Sequence, residues 1–271
     1  MSVPHPQSPV GELTLRLPRT EARRAELEQD EEWCELLRPE GVERIRFHDY
    51  DRIFEIPGLY ERLFYDELEC CSPTVVREML ADGVRAEGAD PATLSVLDLG
   101  AGNGMVGEEL RGIGVQEIVG VDILPEARMA TERDRPGVYA DYRVCDLTDP
   151  PAADDDALRA LAPDCLTTVA ALGFGDIPPE AFATAFDYLA EDGWVALTIR
   201  DDFVTDEDPS GFARLLQRLD AEGALEVAAE RRYQHRLAVS GEPLHYHAYV
   251  ARKRGELDPS WVAAAAQLDP A

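Results

Sequence analysis

The 271-residue chain predicts an α/β fold: a mostly parallel sheet with helices on both faces, ending in an antiparallel hairpin. Three observations predict it. From residue 94, five short apolar runs ("SVLDL", "EIVGVD", "YRVCD", "CLTTVAAL" and "WVALTIR") recur with helical patterns between them. Apolar runs this short, separated by helices, belong to parallel strands buried on both faces. Two longer alternating segments follow, about 224–238 and 244–252, and the Ser240-Gly241-Glu242-Pro243 link between them is too short for a parallel crossover. Four glycines trail the first run in "SVLDLGAGNGMVG", where a strand hands the chain to a loop that a ligand can approach closely.

Taken in order, residues 1–30 are Pro-rich and then charged, which predicts a loose start and one short helix. "EEWCELLRPEGVERIRF" reads as a hairpin, because Arg38-Pro39-Glu40-Gly41 supplies turn chemistry and Ile45 and Phe47 alternate with charges. "HDYDRIFEIPGLYERLFYDELE" reads as two short helices broken at Pro57-Gly58. Ser72-Pro73 predicts a helix start, with Ser72 as N-cap and Pro73 in the first turn. Val75, Val76, Met79, Leu80 and Val84 then lie on one face. Within the alternating region the helices are predicted over 104–112, 125–134, 155–162 and 179–191. In the last, Ala181, Phe182, Ala185, Phe186 and Leu189 share a face and Gly193 is the stop. A further helix is predicted over 209–222. The organisation expected is an N-terminal extension and helical cap (1–90), a cofactor-binding domain (91–255) and a C-terminal tail (256–271).

Composition narrows the function. The formal charge is −28, and one lysine, Lys253, stands beside 25 arginines. Nucleic acid as a partner needs clustered Lys and Arg, so none is expected. No apolar run approaches the ~18 residues of a membrane span, and no basic-then-apolar leader opens the chain. A cytoplasmic protein without a membrane partner is expected, as a monomer or homodimer. The five cysteines (Cys34, Cys70, Cys71, Cys145, Cys165) are odd in number and lack a C-x-x-C spacing, which argues against a disulfide framework or structural zinc. His235, His245 and His247 are ligand-type side chains, but on peripheral strands such residues are usually solvated cross-strand pairs, so no metal is expected.

The glycine loop has two spellings. From Gly102 it reads G-x-G-x-x-G, the dinucleotide fingerprint; from Asp98 it reads D-x-G-x-G-x-G. The aspartate discriminates between them. A carboxylate ~5 Å from a phosphate charge costs roughly 1–3 kcal/mol at effective dielectrics of 80 to 20, and gains as much beside a cation. Asp98 therefore favours a ligand that is positive at this point, as S-adenosylmethionine is. Asp122, at the end of the second run, suits ribose hydroxyls. Asp146, at the end of the third, suits an adenine amino group. Gly107, which completes the dinucleotide spelling, reads instead as a small helix residue packed close to the sheet.

"VLDLGAGNG", "VGVDILPEA", "VCDLTD", "LTTVAALGFGDIPPEAF" and "LAEDGWVALTIR" together resemble the successive motifs of class I S-adenosylmethionine-dependent methyltransferases, over residues 94–253. "RPGVYADY", "IPPEAF" and the Tyr-containing final strands are similar to small methyltransferase-like proteins of the Williams-Beuren-region type. The resemblance implies a Rossmann-like seven-stranded sheet. It also implies methyl transfer from S-adenosylmethionine to a small-molecule acceptor, releasing S-adenosylhomocysteine. Carried over residue by residue, it places Gly100, Ala101, Gly102 and Gly104 against the methionine part, with Asp98 near its ammonium. Asp122 holds the ribose, Ile123 packs on adenine, and Cys145, Asp146 and Leu147 frame its edge. Ala170, Ala171 and Leu172 lie beside the sulfonium. Where amino- and amide-methylating enzymes carry Asn-Pro-Pro-aromatic, this chain reads Ala171-Leu172-Gly173-Phe174, which disfavours chemistry on DNA amines.

Methyl transfer obliges no single catalytic residue, since alignment supplies much of the rate and a base is needed only for a protonated acceptor. The acceptor-side candidates are His48, Tyr60 and Tyr65 from the N-terminal cap, with Asp49 and Tyr50 beside them. Phe174 follows the fourth run, and Arg200 at the end of the fifth could hold an acidic group. Two alternatives stay open on the residues alone: an NAD(P)-dependent oxidoreductase using Gly102, Gly104 and Gly107, and a non-catalytic cofactor-binding module.

Overall fold

The computed structural model of the chain describes residues 13–25, 27–173, 176–201 and 211–266. A small antiparallel sheet comes first, ordered β1 (Thr14–Arg16), β2 (Trp33–Arg38), β3 (Gly41–Arg46), with α1 (Arg19–Ala25) between the first two strands. The hairpin closes over Pro39-Glu40 as the turn chemistry predicts, with Arg38 opposite Gly41. Strand β1 replaces part of the expected loose start; three residues are too few for alternation to announce a strand.

The next segment is α2 (Tyr50–Glu55), the break at Pro57-Gly58, and a π-helical stretch over Glu61–Glu67. Two helices were expected here; the second is wound more widely than an α-helix. The wider turn brings Tyr60 alongside both Phe64 and Tyr65, with ring centroids 4.7 and 6.3 Å apart. Helix α3 (Ser72–Ala86) begins one residue earlier than predicted, and Ser72 is not its N-cap. Cys71 holds that position, while the buried Ser72 hydroxyl bonds Tyr233 Oη at 2.5 Å and His235 Nδ1 at 2.6 Å. Tertiary partners have taken the hydroxyl that local geometry would give to the helix end.

The main body runs β4 (Ser95–Leu99), α4 (Met105–Gly112), β5 (Glu117–Asp122), α5 (Pro125–Asp134), β6 (Asp141–Val144), α6 (Ala152–Leu161), β7 (Cys165–Thr168), α7 (Pro179–Tyr188), β8 (Trp194–Arg200), α8 (Phe212–Ala221), β9 (Leu225–Leu237), β10 (Pro243–Lys253) and α9 (Pro259–Ala266). Its seven strands are ordered β6-β5-β4-β7-β8-β10-β9. The first five pair in parallel, and β10 pairs antiparallel with both β8 and β9. The predicted fold class is the observed one. The chain leaves β4 outward through β5 and β6, then returns to β7 on the other side, so the strand order reverses at the carboxyl ends of β4 and β7. That reversal is where an open α/β sheet binds its ligand.

Successive residues of the strands serve opposite layers. Leu97, Leu99, Val119 and Val121 pack with Phe182, Phe186, Phe212 and Leu215 from α7 and α8. Val96 and Ile118 pack with Val76, Leu80, Leu110 and Ala130 from α3, α4 and α5. A third cluster joins the N-terminal strands to α2 and the π stretch through Leu36, Ile45, Phe47, Ile53 and Leu63. Several boundaries differ from expectation. Helix α6 starts at Ala152, and α7 ends at Tyr188 because Leu189 turns extended (φ −64°, ψ 133°). Strand β7 stops at Thr168, since Ala170 adopts φ +55°. Residues 209 and 210 of the helix predicted over 209–222 lie outside the described residues. The expected tail contains α9, whose Val262 and Ala265 join the core.

Candidate functional site

Strand β4 ends in a loop whose glycines take backbone angles that side chains avoid: Gly100 has φ +71° and Gly102 φ +53°. A Cβ on Gly100 would stand 2.9 Å from Ile177 Cδ1 and 3.0 Å from Ala171 Cβ, so the loop is a bare cradle. Above it opens a cleft of about 370 Å³, within the range of small-molecule sites. Its floor is Gly100, Gly102 and Val121. One wall is Asp122, Ile123 and Leu124 after β5, with Cys145, Asp146 and Leu147 after β6. The other is Val169, Ala170 and Ala171 after β7, with Asp176 and Ile177. His48, Tyr50, Phe54 and Tyr60 cover it from the N-terminal segment.

Asp122 is fixed by two main-chain donors: Gly102 N gives to Oδ2 at 2.9 Å and Leu124 N to Oδ1 at 3.0 Å. Its side chain borders the cleft, where a carboxylate can accept further hydrogen bonds. Burial pushes its ionisation upward, and these main-chain donors oppose that. Ile123 is 58 % exposed, an apolar side chain laid bare at the cleft wall.

Asp98 differs from its expected role. It is 1 % exposed and lies outside the cleft lining, with Oδ1 accepting from Thr167 Oγ1 at 2.7 Å and Oδ2 from Tyr139 Oη at 2.6 Å. Both oxygens face protein donors in a buried position, so Asp98 is not brought to the cleft, where contact with a ligand ammonium was expected. Burial pushes its carboxyl up to about 6 despite those two hydrogen bonds.

Of the other predicted residues, Ala101 faces a second, inner space rather than the main cleft. Gly104, at φ +89°, is the N-cap of α4 and packs toward Val138 and Thr131, away from the cleft. Leu172 is buried and bridges to Ile177. His48 and Tyr60 border both spaces and Tyr65 borders the inner one. Arg200 lines neither and lies 3.8 Å from Glu28. Phe174 lies outside the described residues. Gly107 packs on the Tyr139 ring, where a Cβ would come within 2.9 Å, as its reading as a close-packed helix residue requires.

Residue matching decides the family. A methyltransferase domain model matches residues 74–243, which takes in β4 to β9 and every cradle residue just described. The chain belongs to the methyltransferase domain family. It is a class I S-adenosylmethionine-dependent methyltransferase, which sets the dinucleotide spelling of the loop aside. No curated protein matches the chain in sequence. Solved structures show the same fold at low identity. The N-methyltransferase NodS from Bradyrhizobium japonicum WM9, in complex with S-adenosylhomocysteine, aligns at 14 % identity over 77 % of this chain and 98 % of its own, with TM-score 0.51. A candidate RNA methyltransferase from Pyrococcus horikoshii aligns at 15 % identity over 69 % and 88 %, with TM-score 0.50.

The methyltransferase also carries site features that sequence reading missed. Asp51 and Asp176 border the cleft, and His48 Nδ1 lies 3.4 Å from Asp176 Oδ1 across its mouth. Arg135, 9 % exposed, joins Glu61 of the π stretch at 2.7 Å to the carbonyl of Asn103 in the glycine loop at 3.2 Å. Nothing in "RPGVYADY" announces that tie, because its partners are 74 and 32 residues away. The three histidines do not converge: the His235 ring packs tilted against Tyr246, and the register places His245 and His247 on the other face of β10. His247 bonds Glu230 at 2.7 Å, the cross-strand pairing expected.

Proposed function

We propose that the protein methylates a small-molecule acceptor, held between the N-terminal cap and the carboxyl end of β7. The observation that carries this reading is the covered cleft: aromatic side chains from His48 to Tyr60 roof it, and no Lys or Arg lines it among the described residues. An RNA strand would find no counter-charge for its phosphates there.

The donor fits the cradle. Gly100 and Gly102 give main-chain contact to its amino-acid part, Asp122 accepts from the ribose hydroxyls, and Ile123 with Leu124 covers the adenine. Cys145, Asp146 and Leu147 border the base. Bound S-adenosylmethionine supplies an electrophilic methyl group on a sulfonium. The chain's own contribution is positional: Ala170 and Ala171 keep the wall beside the loop thin, and the aromatic roof keeps water away. His48 and Tyr60 border the acceptor's approach, with Tyr65 behind them.

The test is to incubate the protein with methyl-tritiated S-adenosylmethionine and the separated small-molecule, RNA and protein fractions of a cell extract. Label is expected in the small-molecule fraction. Label confined to RNA or protein would overturn the reading.

A further inference from the structure

An inner chamber of about 70 Å³ opens behind the cleft and shares His48, Tyr50, Tyr60, Gly100 and Ala170 with it. Its far wall is Gln29, Tyr246, His235 and Arg236. Tyr246 stands opposite Arg200 where β10 pairs with the end of β8, so the chamber lies over the β7–β8–β10 side of the sheet. Asp122 and Asp146 end β5 and β6 on the opposite side of β4. The glycine loop and the start of α4, from Gly100 to Val106, close the chamber's near side, where the donor's amino-acid part is placed; the far wall from Gln29 to Tyr246 is left to the acceptor.

The chamber's chemistry is specific. Gln29 is 9 % exposed, and its Nε2 gives a hydrogen bond to Tyr246 Oη at 2.8 Å. Its Oε1 is buried and has no hydrogen-bond partner. A buried carbonyl without a donor is destabilising, so it calls for an N–H or O–H in the chamber. Among the described residues lining the two spaces, Arg236 is the sole Lys or Arg. Its charge is already matched: Nη2 gives to Glu32 at 2.6 Å and Nη1 to the Leu237 carbonyl at 2.8 Å. Burial and the neighbouring Arg236 hold His235 well below the usual histidine range, so it is neutral. The approach is anionic and aromatic, through Asp51, Asp176, Tyr50 and Phe54. Asp176 is close enough to add to the upward push that burial exerts on both Asp122 and Tyr50. Carboxylates and ring faces together attract a cation.

We propose that the acceptor is a small amine, drawn in past Asp51 and Asp176 and oriented by its N–H on Gln29 Oε1. This rests on the methyl-transfer reading above. The ammonium gives one proton to water; the transfer then forms one N–C bond and breaks one C–S bond, whose electron pair stays on sulfur. The product is the N-methylated ammonium.

Calorimetry on the protein saturated with S-adenosylhomocysteine tests this, using benzylamine, benzyl alcohol and benzoate as matched probes. Benzylamine should bind at least about tenfold more tightly than either of the others. Asp176→Asn, at a half-exposed site, should erase most of that preference. Gln29→Leu should weaken benzylamine without changing the affinity for S-adenosylhomocysteine. Equal or tighter binding of benzoate, or binding of none of the three, would overturn the proposal. So would a loss confined to S-adenosylhomocysteine in Gln29→Leu, which would give the chamber to the donor. Failure of the unaltered protein to bind S-adenosylhomocysteine at all would instead remove the donor reading on which the proposal stands.

Discussion

Asp98 and Asp122 sit at the ends of neighbouring strands and have opposite situations. Asp122 is at the cleft surface, held by main-chain donors. Asp98 is sealed off with Thr167 and Tyr139, its carboxyl pushed up to about 6 by burial. The sign of the consequence follows from linkage. A carboxyl whose folded value lies above its unfolded 3.8 binds more protons in the folded state. Its contribution is most favourable below pH 4 and is lost as pH rises to about 6. The rise corresponds to about 3 kcal/mol by the usual conversion. Asp98→Asn should therefore flatten the fall in stability between pH 4 and 6 relative to the unaltered protein, in paired urea titrations. Parallel curves for the two would refute the assignment. The sequence placed Asp98 correctly at a strand end beside the glycines, but it could not show which way the carboxylate faced. Its partners lie 69 and 41 residues away, and only the parallel pairing of β4 with β7 brings Thr167 alongside.

At the scale of elements, the predicted strands and helices came from periodicity, and their errors cluster where tertiary contacts override it. Ser72 gave up a helix cap for Tyr233 and His235, and α7 ended five residues before its apparent glycine stop. There Lys253, from the far end of β10, gives hydrogen bonds to the carbonyls of Phe186 and Leu189, both at 3.0 Å. A lysine on the last carbonyls of a helix satisfies groups the helix cannot satisfy itself. The N-terminal segment is tied to β9 in a related way. Glu32, 2 % exposed, accepts from Arg236 and from the main-chain N of Val239. Removing one partner of such a buried pair strands the other charge. Arg236→Met should cost about 3–5 kcal/mol in chemical denaturation. A change near zero would mean that the pair does not anchor the segment.

For the whole molecule, the charge of −28 is spread over loops and helix faces, with many carboxylates paired to arginines. The excess acid opposes compaction. Salt shortens the screening length from about 30 Å at 0.01 M to about 8 Å at 0.15 M. The melting temperature should rise over that range of sodium chloride; a fall would show that the pairs outweigh the repulsion. The architecture was legible because parallel strands buried on both faces write themselves as apolar runs, and the glycine-loop cleft because it lies at strand ends that the glycines mark. The acceptor side was not. As proposed, it draws on Gln29, Asp51, Asp176 and Tyr246 from four distant segments, and Gln29 meets Tyr246 across 217 residues. No local pattern records such a meeting.

The central claim is that the glycine cradle and Asp122 hold a nucleoside donor without phosphates. Isothermal titration of S-adenosylhomocysteine into the unaltered protein and into Asp122→Ala tests it most directly, with NADH as the control ligand. The account predicts micromolar binding of S-adenosylhomocysteine, at least about tenfold weaker binding in the variant, and no heat from NADH. Binding of NADH with none of S-adenosylhomocysteine, or an unchanged affinity in Asp122→Ala, would contradict it.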